Sequence, residues 1–222
     1  MRTATIREHE IEPVPGLPSR LPEGEGILWQ GSPRPLSFTM RAMRLKGLTI
    51  YFALLVCWAL ADAISNGAGL AEIIRSPAII VMLGWGCLGV LFAIGRSMAK
   101  AAIYTVTNRR IVFRVGLALP MTINIPFSAV QSAAVRRHAD GTEDIVLTML
   151  PGHKPSWIAL WPHARPWRFT PAEPMLRAVP VTAGAAQVIA RALAESAQQG
   201  VRVVEEAGAV QGSPIPAGAA VA

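Results

Sequence analysis

The sequence predicts an α+β membrane protein in which a transmembrane helical hairpin precedes a cytoplasmic β-sandwich that is capped by a C-terminal helix. Three observations predict this architecture: two long apolar runs in the first half, short β-branched segments in the second half, and positive charge beside the apolar runs. The 222 residues are 52% apolar and only 16% charged, whereas a typical soluble domain is about 25% charged. An ordinary soluble domain is therefore disfavoured.

The chain begins with an arm that is rich in proline and glycine, residues that break helices and form turns. Within the arm, LPEGEGILWQGSP places Ile27, Leu28 and Trp29 between turn residues, which predicts a short strand or docking segment. A flexible arm with an incidental tryptophan is the alternative. The following LSFTMRAMRLK, residues 36–46, predicts an amphipathic helix that lies at the cytoplasmic membrane surface.

Two apolar runs predict membrane spans at about residues 47–64 and 77–95. At 1.5 Å per residue the first span is about 27 Å long, close to a hydrocarbon thickness of about 30 Å. Pro77 suits the first turn of the second helix, with Ser76 as its N-cap, which leaves residues 65–76 as the connector of an antiparallel hairpin. Core helices of a soluble protein are the alternative, but neither run has a polar stripe.

Positive charge flanks the spans and predicts their orientation. Residues 26–46 and 96–114 hold nine basic residues and no acid, whereas Arg75 in the connector is offset by Glu72. Under the positive-inside rule, a multi-pass protein with both termini in the cytoplasm is expected. The basic residues are Arg34, Arg41, Arg44, Lys46, Arg96, Lys100, Arg109, Arg110 and Arg114.

After the second span the pattern becomes strand-like. Ala101–Thr107 and Arg110–Val115 are joined at Asn108-Arg109, which predicts a tight hairpin. A helix is predicted from Thr182, its N-cap, to about Gln198. Seven strands and one capping helix are the arrangement of a pleckstrin-homology-like (PH-like) domain. The other predicted strands are Leu119–Ile125, Val130–Arg137, Asp144–Leu150, Trp157–Leu160 and Met175–Val179.

These patterns divide the chain into four regions. The N-terminal arm spans residues 1–35, and the interfacial helix with the transmembrane hairpin spans 36–96. The cytoplasmic PH-like domain spans 97–199. Residues 200–222 contain much Gly, Ala, Val and Pro without periodicity, so a disordered tail is expected.

Several motifs resemble a known family. The run YTVTNRRIVFRVGL resembles the bacterial PH-type domain of membrane-anchored proteins. Together, EPVPGLP, LPEGEGILWQGSP, LWPHARPWR and TPAEPMLRAVP resemble the PuhB-type photosynthetic complex assembly proteins of purple phototrophic bacteria, over residues 9–195 approximately. The resemblance implies an assembly factor of the bacterial inner (intracytoplasmic) membrane for the photosynthetic reaction centre and, secondarily, the core light-harvesting complex. It also implies binding to reaction-centre subunits or assembly intermediates, and self-association, for example as a homodimer.

The sequence shows no constellation typical of an enzyme, a metal site or a cofactor site. His9, His138, His153 and His163 lack further ligands at a metal-site spacing. No phosphate-binding loop, nucleophile elbow or zinc-protease helix occurs. Neither span contains a histidine, the usual axial ligand of haem-type cofactors in membranes. We therefore expect no catalytic activity, no cofactor and no pigment-binding role.

Two residue sets are recognition candidates. The first is a partner-binding set, because tryptophan and arginine are typical of binding hot spots; its alternative is a loop that closes one end of the sandwich. The second is a basic set that faces anionic lipid; its alternative is a role in topology alone. Lipid binding by a general bacterial PH-domain membrane protein is thus the alternative function, whereas nucleic acid is disfavoured because the basic residues cluster at the spans. The partner-binding set is Trp29, Trp161, Pro162, His163, Arg165, Trp167 and Arg168, and the lipid-facing set is Arg41, Arg44, Lys46, Arg96, Lys100, Arg109 and Arg110.

Overall fold

A computed structural model describes residues 16–211 except 18, 118, 119 and 154, and for residues 199–211 it describes the backbone alone. Residues 1–15 of the predicted arm and residues 212–222 of the predicted tail lie outside the described residues. The elements in chain order are β1 (Ile27–Gly31), α1 (Pro35–Ala42), α2 (Leu45–Ser65), α3 (Leu70–Ala101), β2 (Ile103–Thr107), β3 (Arg110–Val115), β4 (Met121–Pro126), β5 (Val130–Arg137), β6 (Thr142–Met149), α4 (Trp157–Leu160), β7 (Ala164–Phe169), β8 (Ala172–Pro180) and α5 (Ala185–Gln211).

The two apolar runs form α2 and α3, which pack against each other as a helical hairpin. Within the described residues, these two helices are long and apolar enough to cross a membrane. The prediction that Pro77 opens the second helix is wrong, because α3 begins at Leu70 and Pro77 lies inside it. The first turn is stabilised locally, since Glu72 favours a helix N-terminus and its carboxylate accepts hydrogen bonds of 3.1 and 2.8 Å from Arg75.

The predicted β-sandwich is present as two four-stranded antiparallel sheets, with strand orders β1-β2-β3-β4 and β5-β6-β8-β7. The hairpin predicted at Asn108-Arg109 joins β2 to β3. Side chains from both sheets share one core, which the α5 residues Ala185, Ile189 and Ala192 cover from one side. The capping helix is therefore confirmed, and within the described residues the two sheets contain eight strands, whereas seven were predicted.

The region between β6 and β8 differs from the prediction. Trp157–Leu160 forms the short helix α4 and not a strand. Strand β7 was missed because it contains Pro166 within a proline-rich stretch, and β1 of the N-terminal arm is the other strand beyond the six that were predicted correctly in the domain. Proline removes a backbone donor and is tolerated at a sheet edge, which is where β7 lies beside β8.

The C-terminal helix also differs at both ends. Thr182 is not its N-cap, because Val181–Ala183 forms a 3-10 turn and Gly184 adopts a left-handed φ of 67° before α5 begins. The helix does not end near Gln198 but continues to Gln211, so the expectation of disorder is wrong for residues 200–211.

The described part of the N-terminal arm is docked, so the strand interpretation is confirmed over the flexible one. β1 pairs with β2, and the Trp29 indole N–H donates to the Ala183 carbonyl at 2.8 Å. The Arg110 guanidinium holds the buried Glu25 carboxylate through bonds of 2.8 and 3.0 Å. Burial alone would raise the pKa of Glu25, but the hydrogen bonds from Arg110 lower it below its ordinary value.

Helix α1 forms within the region predicted as an amphipathic helix, residues 36–46, but ends at Ala42, and it packs between α3 and β8, an arrangement that we call the clamp. Phe38 is fully buried against Ala99 and Ala178. The backbone N–H of Arg34 donates to the Ala178 carbonyl at 2.8 Å, which fixes the start of the helix. At Gly95 of α3, an added Cβ would lie 2.9 Å from side-chain atoms of both Thr39 and Met43 of the α1 segment. The clamp therefore requires glycine at that position.

A buried hydrogen bond joins β2 to the segment before β7. The Tyr104 hydroxyl lies 2.6 Å from His163 Nδ1 and also accepts from the Arg177 backbone N–H at 3.3 Å, which fits a neutral imidazole. The His163 ring packs against Phe38 with centroids 5.1 Å apart. Burial lowers the pKa of His163 to about 3, and the positive charge of Arg177 makes a smaller contribution in the same direction. Burial raises the pKa of Tyr104.

The clamp predicts different effects of the same substitution at two glycines of α3. Gly95→Val should lower the melting temperature of the protein in detergent micelles, because overpacking of this kind costs about 1–3 kcal/mol. Gly86→Val is the matched control, since an added Cβ there has no neighbour within 4 Å. Equal melting temperatures for the two variants would contradict the clamp.

The buried His163 predicts a pH dependence of stability. The unfolded chain takes up a proton near the ordinary pKa of 6.5, whereas folded His163 resists protonation down to about 3. Stability from this residue is therefore complete above pH 6.5 and falls as pH drops, by up to about 1.4 kcal/mol per pH unit. His163→Asn should show a shallower loss of unfolding free energy from pH 7 to 5 in urea titrations. The exposed-site variant His153→Asn should retain the wild-type slope, and an unchanged slope in His163→Asn would refute the assignment.

Candidate functional site

An arginine-lined groove lies where the junction of α1 and α2 faces the second sheet. Its volume is about 670 Å³, and α1, β5, β6, β7 and β8 contribute to its walls. A smaller adjoining cavity of about 180 Å³ shares part of this lining and adds Trp157, Trp161 and Phe169. We call the larger cavity the arginine groove. Its basic residues are Arg41, Arg44, Arg136, Arg165 and Arg177.

The mouth of the arginine groove is formed by Arg44 and Trp167. The Arg44 guanidinium lies 5.2 Å from the centroid of the Trp167 ring, a distance that permits a cation–π interaction. Both residues adopt left-handed backbone conformations, with φ of 50° and 65°. Ala178, beside the groove residue Arg177, is the third non-glycine residue with positive φ in the described part of the chain. Such strained residues persist where the surrounding structure holds them, and they concentrate at functional sites.

The buried Arg177 and the half-buried Arg41, both in the wall of the groove, each have one buried guanidinium nitrogen without an acceptor in the described chain. Arg177 is 5% exposed; its Nη2 donates to the Ala164 carbonyl at 3.2 Å, whereas its Nε has no acceptor among the described residues. Arg41 Nε donates to the Ser37 carbonyl at 3.2 Å, and its Nη1 is likewise buried without an acceptor in the described chain. Burial lowers the pKa of Arg177, opposed by the charge of Asp144.

The carboxylates near the groove are already engaged. Asp144 accepts from the Ala178 backbone N–H at 2.7 Å and lies 2.9 Å from His138 Nε2. Asp140 accepts from the Thr142 hydroxyl and lies 3.7 Å from Arg41, and chiefly the Thr142 hydrogen bond lowers the pKa of Asp140.

A third carboxylate compensates one arginine at the rim. Glu173 is buried and pairs with Arg165 at 2.8 Å and more loosely with Arg168 at 3.9 Å. Within the described residues, Arg44, Arg136 and Arg177 have no carboxylate within 4.0 Å. The arginine groove therefore keeps an excess of positive charge.

The structure divides the predicted partner-binding set. Trp161 and Trp167 are exposed, at 44% and 75%, and Arg165 and Arg168 lie beside them on or next to the edge strand β7. Three members are corrected: Pro162 and His163 are buried, and Trp29 packs against the sandwich core. His163 is buried because its ring fills the space between Phe38 and Tyr104.

The lipid-facing set is also divided. Arg41 and Arg44 line the arginine groove together with Arg165 and Trp167, so residues of the two predicted sets meet at one place. Arg110 does not present a free charge, because Glu25 neutralises it. The remaining members, Lys46, Arg96, Lys100 and Arg109, are exposed.

Sequence reasoning missed Arg136, Arg177 and Trp157 as members of the site. Arg177 carried a usable signal, because it interrupts the apolar strand segment Met175–Val179, and a charge inside a buried strand is rarely tolerated without a partner. Arg136 carried none, since an arginine on the solvent face of a strand is ordinary. Arg136 and Arg177 become neighbours only through the pairing of β5, β6 and β8.

Comparison with known proteins identifies the family of the chain. The family model described as "Bacterial PH domain" matches residues 45–193, from the start of α2 into α5. A protein of Rhodobacter capsulatus, named as an uncharacterized 23.7 kDa protein in the puhA 5′ region, is 32% identical over 194 residues, which cover 86% of this chain and 88% of that protein. No solved structure matches the chain. The match includes both apolar helices as well as the sandwich, and the chain belongs to the bacterial PH domain family.

Proposed function

We propose that the protein is an inner-membrane assembly factor for the photosynthetic reaction centre and, secondarily, for the core light-harvesting complex. The PuhB-type motifs support this role, and the Rhodobacter capsulatus relative comes from the puhA region of a photosynthetic bacterium. The observation that carries the binding step is the exposed tryptophan edge of the PH-like domain, next to the start of α2. Reaction-centre subunits or assembly intermediates are the proposed partners.

The exposure of α2 and α3 supports their placement in the membrane. Only 6% and 11% of their most apolar windows are buried, whereas core helices of a soluble protein would be mostly buried. Because the hairpin is antiparallel, Arg44 and Lys46 lie at the same end as Arg96 and Lys100. Under the positive-inside rule, this charge supports a cytoplasmic position for that end of the hairpin, and with it the proposed cytoplasmic location of the sandwich and both termini.

The proposed partner surface is the tryptophan edge, defined as Ile158, Trp161, Trp167 and Phe169 with the flanking Arg165 and Arg168. Its four apolar side chains are exposed, and Trp167 projects from the edge strand of the second sheet. Clustered exposed aromatics of this kind mark protein interaction sites, and tryptophan and arginine contribute most to their affinity. The edge lies beside the cytoplasmic end of the spans, so a membrane-embedded subunit can reach it.

Loss of the gene predicts a defect in assembly and not in pigment synthesis. A deletion strain grown under phototrophic induction should contain less reaction centre, measured by the light-induced absorbance change, while total bacteriochlorophyll synthesis continues. Complementation with the wild-type gene should restore the reaction centre. Unchanged reaction-centre levels in the deletion strain would instead favour the general lipid-binding alternative.

Alteration of the tryptophan edge predicts loss of partner capture. Trp161→Ala combined with Trp167→Ala should reduce recovery of reaction-centre subunits in affinity pull-downs from solubilised membranes by at least about tenfold, because hot-spot residues contribute 2 kcal/mol or more. Leu117→Ala with Met121→Ala is the matched control, since it removes two exposed apolar side chains near the opposite sheet. Equal recovery with both double variants would remove the tryptophan edge from the binding surface.

A further inference from the structure

We propose that the arginine groove binds a phosphate-bearing anion, supplied either as the headgroup of an anionic lipid or as free phosphate. This inference concerns the interior of the groove and goes beyond the proposed role of the tryptophan edge in protein assembly.

The first support is the buried donor capacity of the groove wall. Arg177 is nearly inaccessible, and its Nε faces no acceptor within the described chain; the same holds for Nη1 of Arg41. Buried polar groups are almost always hydrogen-bonded, and an unfilled guanidinium donor is costly to keep away from water. These two nitrogens expose no surface of their own, so an anion in the groove would compensate the charge of their guanidinium groups and would reach the nitrogens themselves only after side chains of the wall shift.

The second support is the charge and direction of the lining side chains. Five arginines and one aspartate line the groove, and that aspartate, Asp144, is occupied by Ala178 and His138. The arginines come from separate elements: α1, β5, β7, β8 and the junction before α2. Guanidinium forks that approach from several sides match a tetrahedral phosphate, which has more acceptor oxygens than a carboxylate.

The third support is the position of the groove at the end of a span. Arg44 immediately precedes α2 and has a left-handed backbone conformation, and its guanidinium lies over the ring of Trp167. On the membrane placement proposed above, the groove opens at the level of the lipid headgroups, which favours the lipid source. This preference for lipid rests on that placement, whereas the preference for phosphate rests on the groove itself.

The test uses the full-length protein purified in detergent. Native mass spectrometry should show bound phosphatidylglycerol on the wild-type protein at a lipid concentration about tenfold below that required for phosphatidylcholine. Arg177→Gln should abolish this preference. Because a buried substitution can impair folding, Arg44→Gln with Arg136→Gln removes two exposed groove charges as a second variant.

The control removes the same charge elsewhere. Arg20→Gln with Arg191→Gln alters two exposed arginines outside both the groove and the lipid-facing set and should leave the phosphatidylglycerol preference unchanged. If the control and the groove variants lose the preference equally, the attraction is diffuse and the lipid source is rejected.

A second arm tests free phosphate independently of membrane placement and of reaction-centre assembly. The melting temperatures are measured in delipidated micelles, in inorganic phosphate and in chloride of equal ionic strength. The wild-type protein and the control variant should melt at a higher temperature in phosphate than in chloride. The groove variants should melt at the same temperature in both salts. Dependence on the groove in this arm alone identifies free phosphate as the source. Absence of groove dependence in both arms overturns the proposal, whatever the outcome of the pull-downs.

Discussion

The packing of α1 against both α3 and β8 is the constraint on which the rest of the structure depends. Phe38 fills the space between Ala99 of the helical hairpin and Ala178 of the second sheet. The chain also joins the hairpin directly to β2 through Ala102, which is fully buried in the sandwich core. The sandwich is thus fixed to the helices both by α1 and by the end of α3. Since α1 cannot shift without opening this contact, Arg41 and Arg44 are held against the strands that complete the arginine groove.

The elements that the sequence predicts well are those whose pattern is local. The apolar runs of α2 and α3, the hairpin at Asn108-Arg109 and the apolar face of α5 each follow from the spacing of neighbouring residues. The arginine groove does not, because Arg136 and Arg177 lie on strands that meet only through long-range pairing with β6. The proline-rich run from Trp161 to Arg168 shows the limit most clearly. From the sequence alone, these residues are expected to form one surface. In the fold, His163 is buried, whereas Trp167 is exposed.

Placement of the arginines also changes how the basic composition is interpreted. Flanking positive charge predicts the orientation of the spans, yet several of those residues have specific partners in the folded chain. Arg110 binds Glu25, and Arg34 donates to the Asp140 carbonyl at 2.9 Å. Lys46, Arg96 and Lys100 remain exposed at the ends of α2 and α3, so the charge asymmetry of the hairpin persists without the paired residues. The 21 basic residues behind the net charge of +7 therefore include three groups: arginines that have specific partners in the fold, basic residues that flank the apolar helices, and arginines that line the groove.

Trp167 connects the two proposed binding surfaces. Its ring lies over Arg44 at the mouth of the arginine groove, and the same side chain is 75% exposed on the tryptophan edge. An anion that draws Arg44 into the groove weakens the cation–π contact and changes the surface that a protein partner meets. Linkage requires the converse with the same coupling free energy: a partner that binds Trp167 alters the affinity of the groove for its anion by the same factor. Mutation of Arg177, which is buried and lies outside the tryptophan edge, would therefore change partner capture only through loss of the anion, whereas mutation of Trp167 alters both surfaces directly.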